Sequence, residues 1–197
     1  MVDNWLPART RVWIEKRWEA PVSVELHAIT YDAPWGGMRI SKQSTGYAVH
    51  ERGEKSGYFD TFVIWVDDMD ALQRHLAWEH KSDWEAGGVY RLPYTASLAD
   101  GFTSREDSNR KVYLSRKGKE VARMPAGAYG ERADEHSHLL GISLDDLEYA
   151  IQDPRGVNAA GAQILTVAFP TSPRVEPPAV ATPAKKRSLW PWRRRDA

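Results

Sequence analysis

At 197 residues, 42% apolar and 27% charged, the chain has room for one globular domain with an appendage and is too apolar to be disordered throughout. The absence of cysteine removes disulfides, thiolate metal sites and a cysteine nucleophile together. No apolar run reaches the ~20 residues of a membrane-spanning helix, and Met1-Val2-Asp3-Asn4-Trp5 lacks the basic-then-apolar order of a signal peptide, so a cytoplasmic protein is expected.

The formal net charge of zero hides a segregation. From Thr171 onward there are seven basic and two acidic residues, so this tail carries +5 and the rest of the chain −5.

Residues 5–18 set Trp5, Trp13 and Trp18 among Arg9, Arg11, Lys16 and Arg17. Val12 and Ile14 alternate as in a strand, while Ile14 and Trp18 are four apart as in a helix, so both conformations stay open. Val22, Val24, Leu26 and Ala28 alternate with Ser23, Glu25 and His27, which predicts a half-buried strand. Residues 32–37 read as a turn, because Pro34 fixes φ and Gly36-Gly37 permits positive φ. Residues 38–40 and 47–50 are short strands, and 51–57 is the loop of a hairpin into 58–66, the most apolar and β-prone stretch. Asp67, Asp68 and Asp70 then supply cap and first-turn acid for a helix over 67–80, with Met69, Leu72 and Leu76 at helical spacing. The other strands are expected to gather around this strand–helix unit.

Residues 81–88 are a loop, 89–92 a brief strand stopped at Pro93, and 94–109 show no clean period. Lys117-Gly118 makes a two-residue turn between strands 111–116 and 119–124, a register that sets Leu114 against Val121 and Tyr113 against Ala122. Residues 131–152 read as two helices joined at Gly141. Ser143 caps the second, Asp146 stands at its third position, and Leu144, Leu147 and Ile151 form its apolar stripe. A last strand covers 163–169. Beyond it Pro173, Pro177, Pro178, Pro183 and Pro191 with little aliphatic material predict a disordered or polyproline-II tail, so the chain divides into one domain over 1–169 and a tail over 170–197. Strands and helices alternate without the regular period of parallel units. The expected fold class is α+β: a mainly antiparallel sheet with helices packed on one face.

Chemistry is sparse. No G-x-S-x-G, H-E-x-x-H or Walker A pattern occurs, and no catalytic residue, metal site or cofactor is assigned. Glu25 with His27, and His50 with Glu51, are acid/base neighbours of a kind that chance supplies often. His136 and His138 could share a metal on a strand but point ~200° apart on a helix, and His75 with Glu79 reads as an exposed polar pair at i, i+4. From Ser137 to Ile151 the pattern resembles the core of a helix-turn-helix: small Ser137 four before Gly141, Ile142 after it, Ser143 as cap, Leu147 and Ile151 buried. That resemblance implies a second helix able to enter a major groove. Asp145, Asp146 and Glu148 on that helix would repel phosphate, so a helical hairpin covering the sheet is the simpler expectation.

Two basic stretches are candidate binding segments. One is Arg110, Lys111, Arg116, Lys117 and Lys119 around the predicted hairpin. The other is Lys185, Lys186, Arg187, Trp190, Trp192, Arg193, Arg194 and Arg195 in the tail, whose mix of cation and indole suits nucleic acid, an anionic membrane surface or an acidic protein groove. Trp5, Trp13, Trp18, Trp35, Trp78 and Trp84 lie in polar contexts and suggest an exposed protein-interaction patch.

The expected function is a non-enzymatic protein-binding regulator or inhibitor, of a size and layout that would suit a bacterial plasmid or phage accessory protein. A protein partner is expected first. The alternatives are a nucleic-acid-binding protein using the tail, the 110–119 hairpin and residues 131–152, and a hydrolase built around His27, His50 or His136 and His138.

Overall fold

The computed structural model describes residues 4–18, 22–53, 57–81, 88–92, 97–126 and 131–170. These residues form, in chain order, α1 (Ala8–Trp18), β1 (Val22–Val24), β2 (Ala28–Ala33), β3 (Gly36–Gln43), β4 (Gly46–Gly53), β5 (Thr61–Val66), α2 (Met69–Lys81), β6 (Gly88–Arg91), β7 (Phe102–Glu106), β8 (Lys111–Arg116), β9 (Lys119–Pro125), α3 (Glu131–Gly141), α4 (Leu144–Gln152) and β10 (Thr166–Pro170). Eight strands make one antiparallel sheet in the order β1-β2-β3-β4-β5-β9-β8-β7, and β6 pairs with β10 apart from it. The fold is α+β. Of the predicted tail, 170–197, Pro170 ends β10 and residues 171–197 lie outside the described residues.

Strand alternation decides which side of the sheet is dry. Ile29, Tyr31, Met38, Ile40, Val49, Ile64, Val66, Val112, Leu114, Ala122 and Met124 are buried and join one cluster with Ile14 of α1, Leu72 and Leu76 of α2 and Leu140 of α3. Residues one step along each strand therefore point to the opposite face. On the helix side α2 is buried twice over. Leu72 and Leu76 meet the sheet, while Ala77 and Trp78 meet a second cluster with Trp13, Leu139, Leu147, Ala150, Ile151 and Leu165. Fully burying a leucine contributes roughly 1.5–3 kcal/mol, so Leu72 and Leu76 anchor α2 firmly on the sheet. Asp68 holds its first turn, accepting from the Ala71 amide at 2.7 Å. Gln73 donates to the Thr10 hydroxyl at 2.9 Å, a buried bond that ties α2 to α1.

Two strands of the large sheet carry an extra residue. Val49 faces Ile64 and His50 faces Phe62, which leaves Val63 unpaired; Leu114 faces Ala122 and Ser115 faces Glu120, which leaves Val121 unpaired. Both valines pack toward the helices. These β-bulges bend their strands. β5 and β9 are joined through two residue pairs, Trp65 with Arg123 and Val66 with Ala122, and by the Asp67 amide on the Val121 carbonyl at 3.1 Å, and the pairing does not continue toward Phe62.

The local readings hold where the signal is local. Lys117 (φ 52°) and Gly118 (φ 76°) both adopt the left-handed region, as a two-residue hairpin turn of the type I′ form requires. Ser143 accepts from the Asp146 amide at 3.1 Å and caps α4 as predicted, and Leu147 and Ile151 are buried. The open question over residues 5–18 resolves as a helix.

Several expectations are corrected. The single strand over 22–28 is broken: β1 ends at Val24, the Glu25 amide bonds the Ala28 carbonyl in a turn, and Leu26 is exposed. Its alternation is real, but the strand lies at the sheet edge with Val22 exposed. The strand over 38–40 is longer, running from Gly36 to Gln43. The register of the 111–124 hairpin is one residue off, with Leu114 against Ala122 and Tyr113 against Arg123, because Val121 bulges. The stretch without a period contains β7, whose Thr103, Ser104, Arg105 and Glu106 are all exposed. An edge strand that buries one residue leaves no apolar rhythm to read.

Candidate functional site

The face of the sheet away from the helices carries two rows of cross-strand neighbours. The first runs over four adjacent strands. Trp65 on β5 faces Arg123 on β9, Arg123 faces Tyr113 on β8, and Tyr113 faces Arg105 on β7. The Arg123 guanidinium lies 5.2 Å from the Trp65 ring and 5.1 Å from that of Tyr113, and Arg105 lies 4.5 Å over Tyr113. Cation and aromatic thus alternate along the row at cation–π distances. The second row runs Arg39, His50, Phe62 over β3, β4 and β5, with the Lys111 ammonium 6.0 Å over the Phe62 ring. His50 and Phe62 are 5.6 Å apart, ring to ring.

Each side chain in the first row is held. The bulge at Val121 turns Glu120 to the same face as Arg123, and Glu120 Oε1 accepts from Arg123 Nε at 3.1 Å and Nη2 at 2.7 Å. In a regular strand two residues three apart point to opposite sides. The Tyr113 hydroxyl donates to Asp107 at 2.8 Å. This bond pushes the Tyr113 hydroxyl up, and the Asp107 carboxylate is held below its usual range, first by the Lys111 amide. Asp107 also accepts from the Asn109 amide and so closes the β7–β8 turn, where Arg110 takes a left-handed φ of 56°.

Between the rows, where β5 and β9 stop pairing, lies a hollow of about 250 Å³. Its walls are the Phe62 and Trp65 rings, and its polar groups are Gln43, His50, Lys111 and Arg123. Among the described residues no carboxylate lines it. Burial, and then the charge of Arg39, push His50 below the usual imidazole range. Neutral at pH 7, it can donate or accept.

Behind the same gap, on the helix side, is a second and much smaller space of about 10 Å³ bordered by Val63, Met124, His75, Glu79, Glu135 and His136. That is room for one water at most. His75 and His136 are buried there with their rings 5.4 Å apart, which corrects the reading of His75 as an exposed polar residue: α3 comes across to cover it. Among the described residues no three His, Asp or Glu side chains gather as a metal ion would need.

The remaining candidates are scattered. Of the basic hairpin residues, only Lys111 reaches the hollow. Arg110 sits in the β7–β8 turn, 3.8 Å from Glu106; Arg116 lies over Phe102; Lys119 is paired with Asp67 at 2.7 Å; Lys117 occupies the far turn. The two ends of β8 are separated by its six residues, or roughly 17 Å at the usual strand rise, so 110–119 is not one patch. The tryptophan patch is corrected too. Trp13 and Trp78 are buried in the second core, and Trp5 packs between Tyr47, 5.8 Å away, and Lys42, 4.5 Å over its ring. Trp35 is exposed, at 50%, in the β2–β3 turn. The side chain of Trp18, the whole of Trp84, and Lys185, Lys186, Arg187, Trp190, Trp192, Arg193, Arg194 and Arg195 lie outside the described residues.

The candidate hydrolase histidines do not converge: His27 is exposed between β1 and β2, His50 faces the hollow, and His136 is behind the sheet, with His138 meeting the Ser97 carbonyl at 3.0 Å. The helix-turn-helix-like pair packs as a cover. α4 lies against α2, and its Asp145 and Glu148 are both held by Arg9 of α1. Trp65, Arg123, Tyr113, Arg105 and Phe62 went unnoticed as a group. The usable signal was the alternation of 111–116 and 119–124, which puts Tyr113 and Arg123 opposite the apolar residues.

No family model matches the chain, and no curated protein matches it. Among solved structures, Rv3902c from M. tuberculosis superposes with a TM-score of 0.64 at 13% identity, over 85% of this chain and 99% of that one, so the chain is similar in fold to that protein.

Proposed function

We propose that this chain is a non-enzymatic protein-binding module, a regulator or inhibitor of its partner, that docks through the open face of its sheet. The observation that carries this is the row Arg123, Tyr113, Arg105, backed by the buried Trp65 ring, on a face that the helices leave uncovered. Tryptophan, tyrosine and arginine are the residues that dominate binding energy at protein interfaces. Here they are held in place before any partner arrives, which lowers the entropy lost on binding. The tail from 185 to 195, cationic and indole-bearing, gives a second contact.

Co-purification from the native host tests this, using the full chain, the chain ending at residue 170, and the full chain with Arg105→Glu. Arg105 is exposed, so its reversal leaves the fold intact. The same protein should be captured by the first two and lost with the third. A partner that leaves with the tail and ignores Arg105→Glu would overturn the proposal.

A further inference from the structure

We propose that the hollow between Lys111 and Arg123 is a socket for a carboxylate side chain of the protein partner, so that the surface docked on the open face is acidic. This rests on reading that face as the docking surface, and adds the chemistry of what it takes.

Size comes first. At about 250 Å³ the hollow is below the ~300–1,000 Å³ of sites that enclose drug-sized ligands, and it is open, so it fits one side chain of a larger body. Charge comes next. Among the described residues both charges that line it, Lys111 and Arg123, are positive, and Gln43 and His50 add hydrogen-bonding groups; Glu120 holds Arg123 from outside the lining. Glu120 takes two of the five N–H groups of Arg123, which leaves three to give. A guanidinium flanked by rings presents its edge, and the edge is what binds a carboxylate with two parallel bonds.

The same packing argues against stacked bases. Single-stranded nucleic acid binds sheet faces by laying bases on aromatic rings. Trp65 is buried beneath Arg123, and Tyr113 is met by both Arg105 and Arg123, so these rings are already engaged by the protein's own cations.

The test is an NMR titration of the full chain, following the His50 imidazole and the Trp65 indole. The probes are a capped hexaglutamate peptide, its hexaglutamine counterpart, and a ten-nucleotide oligothymidylate. Hexaglutamate should shift both signals and hexaglutamine should not. A bound carboxylate should also raise the His50 titration midpoint, against the opposing charges of Arg39, Lys111 and Arg123. Lys111→Glu, exposed and outside the core, should weaken hexaglutamate binding about tenfold or more.

Equal response to both peptides, or none at either signal, sinks the socket. Oligothymidylate shifting these signals while hexaglutamate does not would assign the face to nucleic acid instead. The co-purified partner separates the two proposals. If Arg105→Glu releases it and Lys111→Glu does not, the docking face stands and the socket falls. If neither does, both fall.

Discussion

Replacing Thr10 by valine tests whether one buried hydrogen bond fixes α1 on α2. Thr10 is fully buried, Gln73 is 6% exposed, and the amide donates to the hydroxyl at 2.9 Å. Valine keeps the shape of threonine but leaves the Gln73 amide buried without that acceptor. An unsatisfied buried donor costs about 1–3 kcal/mol. For a domain of this size each kcal/mol moves Tm by about 2–4 °C, so Thr10→Val should melt roughly 4–8 °C lower if the cost is near 2 kcal/mol. Gln73→Leu should cost less, about 1 kcal/mol, because a threonine hydroxyl inside a helix can turn to a carbonyl of the preceding turn. The double variant, with two apolar side chains in contact, should recover most of the loss. Chemical denaturation of all four proteins closes the cycle. If the double variant loses the sum of the two singles to within about 0.5 kcal/mol, the residues are uncoupled and the bond holds nothing.

Gly46→Ala should destabilise by about 1–3 kcal/mol and move the Trp65 emission, since an added Cβ would sit 2.1 Å from the Val66 carbonyl oxygen and 2.9 Å from the Trp65 ring; an unchanged melt would mean that β4 and β5 can separate freely. Trp13→Ala should cost about 3–5 kcal/mol and Trp35→Ala clearly less, because the first fills a core and the second is half exposed; similar losses from both would refute the split. Burial pushes the Tyr31 hydroxyl up to about 12. The folded state thus holds this proton when the unfolded chain has lost it, and stability should fall as pH rises from about 10 to 12. Tyr31→Phe should flatten that limb in denaturation curves taken across the range, and an unaltered slope would count against the assignment.

What the sequence made legible was local. The β8–β9 turn is written in Lys117-Gly118 and the start of α4 in Ser143 and Asp146, because both need only a few adjacent residues. The hairpin register was not legible, since Val121 bulges to fill a core assembled by other elements. His75 with Glu79 has the same spacing whether exposed or buried, and α3, far along the chain, decides it. The candidate site was the least legible part. Its residues come from β3, β4, β5, β7, β8 and β9, and nothing in any one of these strands announces that arginine will fall between indole and phenol. Of the residues lining the hollow, the sequence marks only Lys111 and His50, each for a different reason: Lys111 as part of a basic stretch that the strand length divides, His50 as an acid/base neighbour of Glu51.

The two unpaired valines are slack in the sheet. In a regular strand, losing one residue turns everything on one side of the loss over, exchanging interior for solvent. At Val63 or Val121 a deletion would return the ladder to an even step, with Phe62 still opposite His50 and Glu120 still opposite Ser115. What would go is a packed methyl pair, the bend that comes with a bulge and, at Val121, the carbonyl that accepts from the Asp67 amide. Because Phe62 borders both the hollow and the extra Val63, deleting Val63 should change the shape of the hollow without touching any side chain that lines it.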